Sequence, residues 1–470
     1  MMPKKVIPET DLPYDHKSPE SILRYAGKLT GRTLREYLDF ETGIIGGTNT
    51  KGTFAQIVER GYFYIENNNE PVPDFDEAGI ELKVTPVKMT RSGLTSKERL
   101  VLGIIDYNEV PEKGFDIFLD KNSRILILFY LWTENTDVLD YKFLKVVDWS
   151  PSEEELRIIR EDWDIIEGYV LRGEAHLLSE RHTKFLAANT KGSGHDSDYR
   201  TQPFSETLAK QRSLSFKASY MTSIFNSWPD VGEVFIDRPS ESGSIFNGAW
   251  EGHESFEEYV LRYFDRFVGK TCLEIENALG IELSDASYQY YRMLTFAMMG
   301  LVGKSKVKEF EEADILIKTV RVKKNGTPKE YMSFPAFDVD TIINQTWEES
   351  DFLSQIDHEF FIPVFQFNST HPEDENRKDL VFRGAFFWCV PDEDMMVIKD
   401  VWEDTRDKII AGRSDFVKAS DRRISHVRPH DLRKKISEDG RDITRKSFWF
   451  NGQYVKNVIK GELNLDSAKK

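Results

Sequence analysis

The clearest alternation of apolar and polar residues in this chain lies between positions 80 and 87. Its apolar positions are Ile80, Leu82 and Val84. Successive side chains of a strand point to opposite faces, so the pattern predicts a β-strand that places Glu81 and Lys83 together on its second face. Asp74 precedes this strand, beyond a turn predicted at residues 76–79. We therefore expect two carboxylates and one ammonium group to meet at one point of a sheet.

The remaining hydrophobic pattern predicts a chain that mixes helices with strands. Apolar residues at helical spacing predict helices that begin near residues 18–20 and that cover 34–40, 54–59 and 152–171. Runs rich in Ile, Leu, Val and aromatic residues predict two more strands of the same sheet, at 100–106 and 124–132. A basic segment predicts a strand followed by a turn, at 212–225.

The charged residues around the first strand are typical of a metal-dependent phosphodiesterase. The carboxylates of Asp74 and Glu81 can hold a hard cation such as Mg²⁺, which can activate water and stabilise charge on phosphorus. Lys83 can orient the nucleophile or balance the developing negative charge. Glu59 ends a predicted helix nearby, where a solvated helix glutamate is the alternative interpretation. An acidic residue followed by Glu-x-Lys also occurs by chance, so the pattern alone leaves a structural role open.

Other candidate motifs are weaker. The glycine-rich segment 46–52 lacks the Gly-Lys-Ser/Thr ending and the preceding strand of a nucleotide-binding loop. His176 and His182 lack the spacing of a metal motif and are predicted to be surface residues. The polar segment 189–200 predicts either a connector or a loop that becomes ordered on a ligand.

The segment around the first strand recurs 235 positions later without a gap. In this second copy Lys318 aligns with Lys83, but Leu316 replaces Glu81, and Glu309 replaces Asp74. Leucine cannot ligate a cation, so the second half is predicted to be catalytically inactive, with Lys318 either structural or in contact with a phosphate. Two further echoes in the same order support two similarly folded halves, at 400–403 and 445–454.

Length and composition set the class of protein. A chain of 470 residues with 40% hydrophobic residues can form two or three domains with real cores. The two distant cysteines, Cys272 and Cys389, argue against a disulfide framework and suit the cytoplasm, and no segment is long and apolar enough to predict a membrane partner. The formal net charge of −17 argues mildly against nucleic acid, although a DNA-binding cleft needs positive charge only where it touches the backbone.

The motifs in combination resemble the MutH mismatch-repair endonucleases and the related Sau-type restriction endonucleases that cut GATC. The resemblance rests on Lys51-Gly52-x-x-x-Gln56-x-x-Glu59 and on Asp74-Phe75-x-x-x-Gly79-Ile80-Glu81-Leu82-Lys83. It continues through Arg160-Glu161-Asp162-Trp163, Arg181-His182 and Lys191-Gly192. The second half resembles the C-terminal half of the Sau-type enzymes at Ser425-His426-Val427-Arg428-Pro429-His430 and Lys446-Ser447-Phe448-Trp449.

This resemblance implies an α/β fold of two tandem restriction-endonuclease-like domains of the PD-(D/E)xK, MutH-like type, with mixed central sheets flanked by helices. The expected organisation is a catalytic domain at 1–225, a linker at 226–250 and an inactive DNA-binding effector domain at 251–470. The implied catalytic residues are Glu59, Asp74, Glu81, Lys83 and Lys121, of which Asp74 and Glu81 bind the metal.

The implied partner is double-stranded DNA that contains GATC, cut on both strands with Mg²⁺. The C-terminal domain is expected to bind a second DNA site, with self-association on DNA. Expected DNA contacts are Lys51, Asn189, Lys191, Arg200, Lys217, His426, Arg428 and His430. In the base-reading loop MutH has an arginine and a lysine where this chain has Asn189 and Lys191. Lysine can still donate to guanine, so specificity for GATC follows here from the overall resemblance.

Two alternatives remain open on the sequence. A nicking endonuclease of mismatch repair would share the motifs, but MutH is a single domain, and the second half counts against this alternative. A non-cutting protein that binds GATC or senses its methylation is the other alternative, and the intact Asp74, Glu81 and Lys83 set counts against it.

Overall fold

The computed structural model describes residues 7–37, 53–66, 72–90, 93–191, 198–228, 242–246, 250, 254–369, 375–429 and 445–463. The chain divides into two compact units, residues 1–240 with Glu311–Ala313, and residues 241–310 with 314–470. The domain and linker boundaries expected from the sequence stay a prediction. Lys51, His430 and the glycine-rich segment 46–52 lie outside the described residues.

The first unit mixes short helices with strands. Its helices are α1 (Pro19–Gly27), α2 (Thr53–Ile57), α3 (Val110–Lys113), α4 (Asp116–Asn122), α5 (Glu153–Leu171) and α6 (Ala218–Ser227). Its strands are β1 (Glu81–Thr90), β2 (Gly93–Ser96), β3 (Leu100–Ile104), β4 (Ile125–Leu131), β5 (Lys142–Trp149), β6 (Leu186–Thr190), β7 (Tyr199–Gln202), β8 (Ser205–Lys210) and β9 (Arg212–Phe216).

The main sheet of the first unit has the order β2-β1-β4-β5. Strands β1 and β4 are parallel, with Glu81 opposite Ile125, and the other two pairings are antiparallel. The expectation that residues 100–106 join this sheet is wrong, because β3 pairs with β9 in a separate antiparallel sheet of order β3-β9-β6. Apolar composition predicts a buried strand but carries no information about its partner.

Capping residues explain where the long helices begin. The Ser18 side chain accepts the backbone N–H of Ser21 at the start of α1, and Ser152 and Glu155 form a capping box at the start of α5. Two predictions from the pattern are wrong in the described residues. A helix was predicted at 34–40, but the described part of this segment forms only a 3₁₀ turn, Leu34–Glu36. The turn predicted after β9 is instead the ten-residue helix α6.

The second unit contains a similar set of elements. Its helices are α7 (Phe256–Asp265), α8 (Cys272–Leu279), α9 (Tyr290–Met298), α10 (Lys308–Ala313, whose last three residues group with the first unit), α11 (Val339–Ile342), α12 (Asp351–Ile356), α13 (Asp392–Ile410) and α14 (Gly452–Glu462). Its strands are β10 (Ser242–Gly243), β11 (Lys306–Val307), β12 (Ile315–Ile317), β13 (Val320–Val322), β14 (Ser333–Phe337), β15 (Glu359–Gln366), β16 (Val381–Cys389), β17 (Ser425–Pro429) and β18 (Lys446–Phe450).

The two units repeat one topology. Strands β12 and β13 both run parallel to β15, which pairs antiparallel with β16, as β1, β4 and β5 do in the first unit. The antiparallel sheet β14-β18-β17 likewise repeats β3-β9-β6. Leu316 pairs with Phe360 where Glu81 pairs with Ile125, so both strands keep the spacing of 235 residues. The structure thus contains two similarly folded units with mixed sheets and helices, as the sequence predicts.

Each unit has its own hydrophobic core. In the first, Ile80 just before β1 and Leu82 of β1 are buried against Leu126 and Leu128 of β4 and against the segment that holds Phe54 and Val58. The second core includes residues of β13 to β18 and of α13. No described helix is long and apolar enough to cross a membrane.

Candidate active site

Glu81 and Lys83 lie on the face of β1 that is turned away from the apolar core. The Glu81 side chain is only 1% exposed. Its Oε1 lies 2.5 Å from Nζ of Lys83, whose side chain is 20% exposed. A buried carboxylate is costly unless a cation or hydrogen-bond donors compensate it. The lysine two residues along the strand therefore supplies the charge that allows Glu81 to be buried.

Asp74 is brought to Glu81 by a tight turn before β1. Phe75 and Ile80 exchange backbone hydrogen bonds of 3.0 and 3.2 Å, and Gly79 closes the turn with a φ of 65°, a left-handed conformation that glycine adopts without strain. The Asp74 N–H donates to Oε2 of Glu81 at 3.2 Å, and Oδ2 of Asp74 accepts the Leu82 N–H at 3.0 Å. The two carboxylates are thus fixed beside each other by the backbone.

A second lysine reaches Glu81 from another element. Lys121 lies in the last turn of α4, just before β4, and its Nζ is 3.4 Å from Oε1 of Glu81. The parallel pairing of β1 with β4 carries the end of α4 to the start of β1. One carboxylate therefore faces two ammonium groups, which leaves negative charge on the other acids near it only partly balanced.

Glu59 enters the same cluster from a π-helical turn, Val58–Tyr62, that follows α2. Such turns are rare and occur often at functional sites. Burial, together with the neighbouring carboxylates of Asp74 and Glu81, raises the pKa of Glu59 to about 7, against the opposing effect of Lys83 and Lys121. Glu59 is therefore electrostatically coupled to the other four residues. We call Glu59, Asp74, Glu81, Lys83 and Lys121 the carboxylate–lysine cluster.

Asp74 is perturbed by the same causes. Burial and the charge of Glu81 raise the pKa of Asp74 to about 6, against the effect of Lys83 and of the Leu82 N–H. Repulsion between neighbouring carboxylates and loss of hydration both favour the protonated acid. A bound divalent cation would replace those protons.

The oxygen donors of the cluster fit a hard cation. Among the described residues, no group of three or more His, Cys, Asp or Glu is placed to hold one ion. Mg²⁺ keeps several waters and is commonly bound through one or two carboxylates together with substrate phosphates. Asp74 and Glu81 provide such a pair, held together by the hydrogen bond of 3.2 Å from the Asp74 backbone N–H to Oε2 of Glu81.

The predicted DNA-contacting residues of the first unit that the structure describes lie in and around β6, β7 and β9. Asn189 lies near the end of β6, where its Oδ1 accepts the Ser213 hydroxyl at 3.1 Å, and the half-buried Lys191 directly follows this strand. Arg200 is exposed on β7 and donates to Oε1 of Gln211 at 2.6 Å. Part of the polar segment predicted as a loop is therefore strand.

The other predicted contacts differ in exposure. Lys217 is half-buried and donates from Nζ to the Thr183 carbonyl at 2.5 Å. In the second unit His426 is fully buried, so its ring is not exposed for contact with DNA in this conformation, and burial, with the charge of Arg428, lowers its pKa to about 4. Arg428 is exposed, with its guanidinium carbon 4.9 Å from the ring centre of Tyr331 and 5.4 Å from that of Trp449.

Asp162 is a supporting residue that the hydrophobic pattern alone did not identify. This fully buried residue of α5 accepts the backbone N–H groups of Lys184, Phe185 and Leu186 at 2.5, 2.7 and 2.8 Å. It therefore fixes the start of β6, the strand that carries Asn189. A lone polar residue among the apolar positions of an amphipathic helix is the signal that identifies it.

The second unit has lost most of this chemistry. At the spacing of 235 residues, Leu294 and Ile356 replace Glu59 and Lys121, and both are fully buried. Glu309, which replaces Asp74, is 1% exposed and accepts hydrogen bonds from the Ser244 hydroxyl and, at 3.1 Å, from the Ile245 N–H. This acid therefore stabilises its own unit instead of facing a second carboxylate.

Comparison with known proteins agrees with this duplicated architecture. The family model "DNA mismatch repair enzyme MutH" matches the chain twice, at residues 63–162 and 301–400. The type II restriction enzyme Sau3AI of Staphylococcus aureus is 32% identical over 88% of this chain and 94% of its own length. The DNA mismatch repair protein MutH of Shewanella woodyi is 26% identical over 38% of this chain and 78% of its own length.

The two matches of the family model fall on the two units, and the similarity to the restriction enzyme spans both. The chain therefore belongs to the MutH-like family of endonucleases.

Proposed function

We propose that this protein is a type II restriction endonuclease that makes Mg²⁺-dependent double-strand cuts in DNA at GATC. The observation that carries the proposal is the carboxylate–lysine cluster, which the first unit has and the second lacks, within a chain similar to Sau3AI over nearly its whole length. The finer fold type, PD-(D/E)xK, belongs to the proposal as well, with Asp74, Glu81 and Lys83 as its signature residues.

Asp74 and Glu81 would hold the magnesium ion in this proposal. When bound, Mg²⁺ supplies charge stabilisation at phosphorus and lowers the pKa of water. Both carboxylates must be deprotonated to bind it, and the raised pKa of Asp74 means that its proton must first be lost. The backbone bonds that fix Asp74 against Glu81 remove the entropy cost of assembling the pair.

The other three members of the cluster handle protons and charge. Lys83 and Lys121 both face Oε1 of Glu81, so they can orient a water beside it and balance the negative charge that develops on the phosphate. Glu59, with a pKa of about 7, can accept a proton near neutral pH. The roles proposed for Lys83, Lys121 and Glu59 depend on partial removal of these side chains from water, and all three are partly or largely buried.

The second unit is proposed to bind another DNA site without cutting it, and to act as an effector of the first. Leu316 in place of Glu81 and the inward-turned Glu309 support the absence of cutting. The exposed Arg428 beside Tyr331 and Trp449 offers a positive surface for DNA. The other proposed contacts with DNA are Lys51, Asn189, Lys191, Arg200, Lys217 and His430. The proposal also includes self-association of the protein on DNA and a location in the cytoplasm.

Digestion of an unmethylated plasmid that contains GATC tests the proposal. The purified protein alone should give linear fragments with Mg²⁺ and none with EDTA, and a plasmid without GATC should stay intact. Accumulation of nicked circles would instead support the repair endonuclease of the MutH type. DNA that stays intact with every divalent metal, while binding persists, would support a non-cutting GATC reader.

A further inference from the structure

One side chain outside the carboxylate–lysine cluster contacts both of the segments that carry its acids Glu59 and Asp74. Glu59 lies one turn before Phe63 along the chain, and Asp74 directly precedes Phe75. Tyr14, in the segment before α1, packs its ring edge-on against the rings of Phe63 and Phe75, with ring centres 6.0 and 6.1 Å away. The rings of Phe63 and Phe75 also meet edge-on, at 5.7 Å. The three aromatic rings therefore join the two acid-bearing segments.

The hydroxyl group of Tyr14 fixes the end of the turn that carries Glu59. It donates to the Phe63 carbonyl oxygen at 2.6 Å. The backbone leaves the π-helical turn at this point, since the next residue, Tyr64, has a left-handed φ of 57°. A carbonyl at the end of a helix has no partner within it, and one that is buried without a partner is costly. Phe63 is fully buried, so Tyr14 supplies the donor that its carbonyl needs.

The bond from Tyr14 is available at every pH at which an enzyme of this kind is assayed. The Tyr14 side chain is almost fully buried, and burial raises its pKa well above the ordinary value of a tyrosine. The phenol therefore stays protonated and remains a hydrogen-bond donor.

The segment that holds Tyr14 contacts the tight turn before β1 at a second point. Nζ of Lys17 lies 2.7 Å from Oε2 of Glu77, a residue of that turn. An ion pair on a partly exposed surface adds little stability. It does, however, connect the same two parts of the chain as the contact between the rings of Tyr14 and Phe75.

We propose that Tyr14 is a positioning residue of the active site, which sets the placement of the Glu59 carboxylate relative to that of Asp74. The inference rests on the proposed function, in which Glu59 accepts a proton and Asp74 holds the metal ion. Tyr14 is only 7% exposed and offers no surface to DNA, so it acts through these two acids. A displacement of about 1 Å between reacting groups can lower a rate by about a hundredfold. Filling the core alone would need the ring but not the hydroxyl.

Tyr14→Phe tests the inference because it removes the hydroxyl and keeps the ring. It should lower the single-turnover rate of GATC duplex cleavage at saturating Mg²⁺ by roughly tenfold. Its affinity for the duplex in Ca²⁺ should stay within about twofold of wild type, since no DNA contact is lost. An unchanged affinity with a reduced rate places the defect in the chemical step.

The matched control is Tyr107→Phe. Tyr107 is also buried in the first unit, and its hydroxyl also donates to a backbone carbonyl at 2.6 Å, that of Lys210 in β8. Each variant should lower the unfolding temperature by about 2–4 °C through the loss of one hydrogen bond. With rates compared well below that temperature, Tyr107→Phe should cut at the wild-type rate. A rate loss that is equal in both variants would make the effect one of stability and overturn the proposal.

A double-mutant cycle shows whether Tyr14 acts through Glu59. In the Glu59→Gln background, Tyr14→Phe should change the remaining rate by less than about twofold, because the group that it positions is already disabled. The same tenfold loss in both backgrounds would make the effect independent of Glu59 and contradict the proposal.

Amide hydrogen exchange in EDTA tests the connection without metal or cleavage. Tyr14→Leu, which removes the hydroxyl and the ring contacts, should speed exchange in residues 58–65 and also in residues 74–82. Tyr107→Phe should leave both segments at the wild-type rate of exchange. Exchange in 74–82 that Tyr14→Leu does not change would show that Tyr14 does not join the two segments, and the inference would fail.

The outcomes also separate the inference from the proposed function. A wild-type protein that cuts no GATC duplex with any divalent metal would overturn the proposed function, and the positioning role with it. A wild-type protein that cuts, together with a Tyr14→Phe variant that cuts at the same rate, would overturn the positioning role alone.

Discussion

The two units of this chain share a topology but differ in the residues at one cleft. Both have a strand that runs parallel to its neighbour at the same spacing, and both enter it through a left-handed residue, Gly79 with φ 65° and Asp314 with φ 61°. The first cleft has three acids and two lysines, whereas the second keeps Lys318 and buries Leu294 and Ile356. The fold therefore does not need the charges.

This difference favours a functional over a structural role for the cluster. Burying acids beside one another raises the pKa of Glu59 and Asp74, which is a cost in stability that the second unit avoids. Charged residues that lower the stability of one unit, and that are absent from a second unit of the same fold, are candidates for a functional role. Three experiments test this contrast between the two units.

The largest effect is expected at the pair Asp74 and Glu309. Asp74→Asn should lower the rate of DNA cleavage by about a thousandfold or more, because loss of a carboxylate proposed to bind the metal would remove several kcal/mol of transition-state stabilisation. Glu309→Gln should leave the cleavage rate unchanged and destabilise the second unit by about 1–2 kcal/mol, through weaker bonds to Ser244 and Ile245. Single-turnover rates and denaturant unfolding measure both. Equal effects on cleavage would contradict the division of roles.

A stability effect is expected at Asp162, whose equivalent in α13 is Val401. Asp162→Val should destabilise the first unit by about 3 kcal/mol or more, since it leaves three buried backbone N–H groups without an acceptor. Asp162→Asn, which keeps one acceptor, should lose less. Val401→Asp should also destabilise, because it buries a charge in an apolar core. If denaturant unfolding shows the same free energy of unfolding for Asp162→Val and wild type, Asp162 does not support β6 as described.

The pH dependence of metal binding is the third test. Burial and the neighbouring carboxylates raise the pKa of Glu59 to about 7 and the pKa of Asp74 to about 6, above their ordinary values of 4.5 and 3.8. Their protons therefore stabilise the metal-free fold below about pH 4, and this contribution is lost as pH rises through 6 to 7. Mg²⁺ competes with these protons, so the rise in unfolding temperature with Mg²⁺ should be larger at pH 8 than at pH 5.5.

Glu59→Gln should flatten this pH dependence, and its control is Glu112→Gln on the exposed face of α3. A Mg²⁺ effect that is equal at both pH values in wild type would place the metal away from the cluster.

The sequence predicted much of this arrangement, because local patterns encode it. The alternation at β1, the capped start of α5 and the repeat at 235 residues are each visible in the printed chain. The sheet partner of β3 and the helix α6 were not predicted correctly, because both depend on packing with distant residues. The π-helical turn that carries Glu59 and the approach of Lys121 from the end of α4 likewise arise from tertiary structure.

Cleavage by Glu81→Ala is the most direct test of the central claim that one unit cuts and its repeat does not. With Mg²⁺ and a GATC duplex, this variant should give no product on the timescale of complete wild-type digestion. Its affinity for the same duplex in Ca²⁺ should stay within about threefold of wild type, because Glu81 is buried and contributes no surface for DNA. Cleavage by Glu81→Ala at the wild-type rate would contradict the account and place the active site elsewhere in the chain.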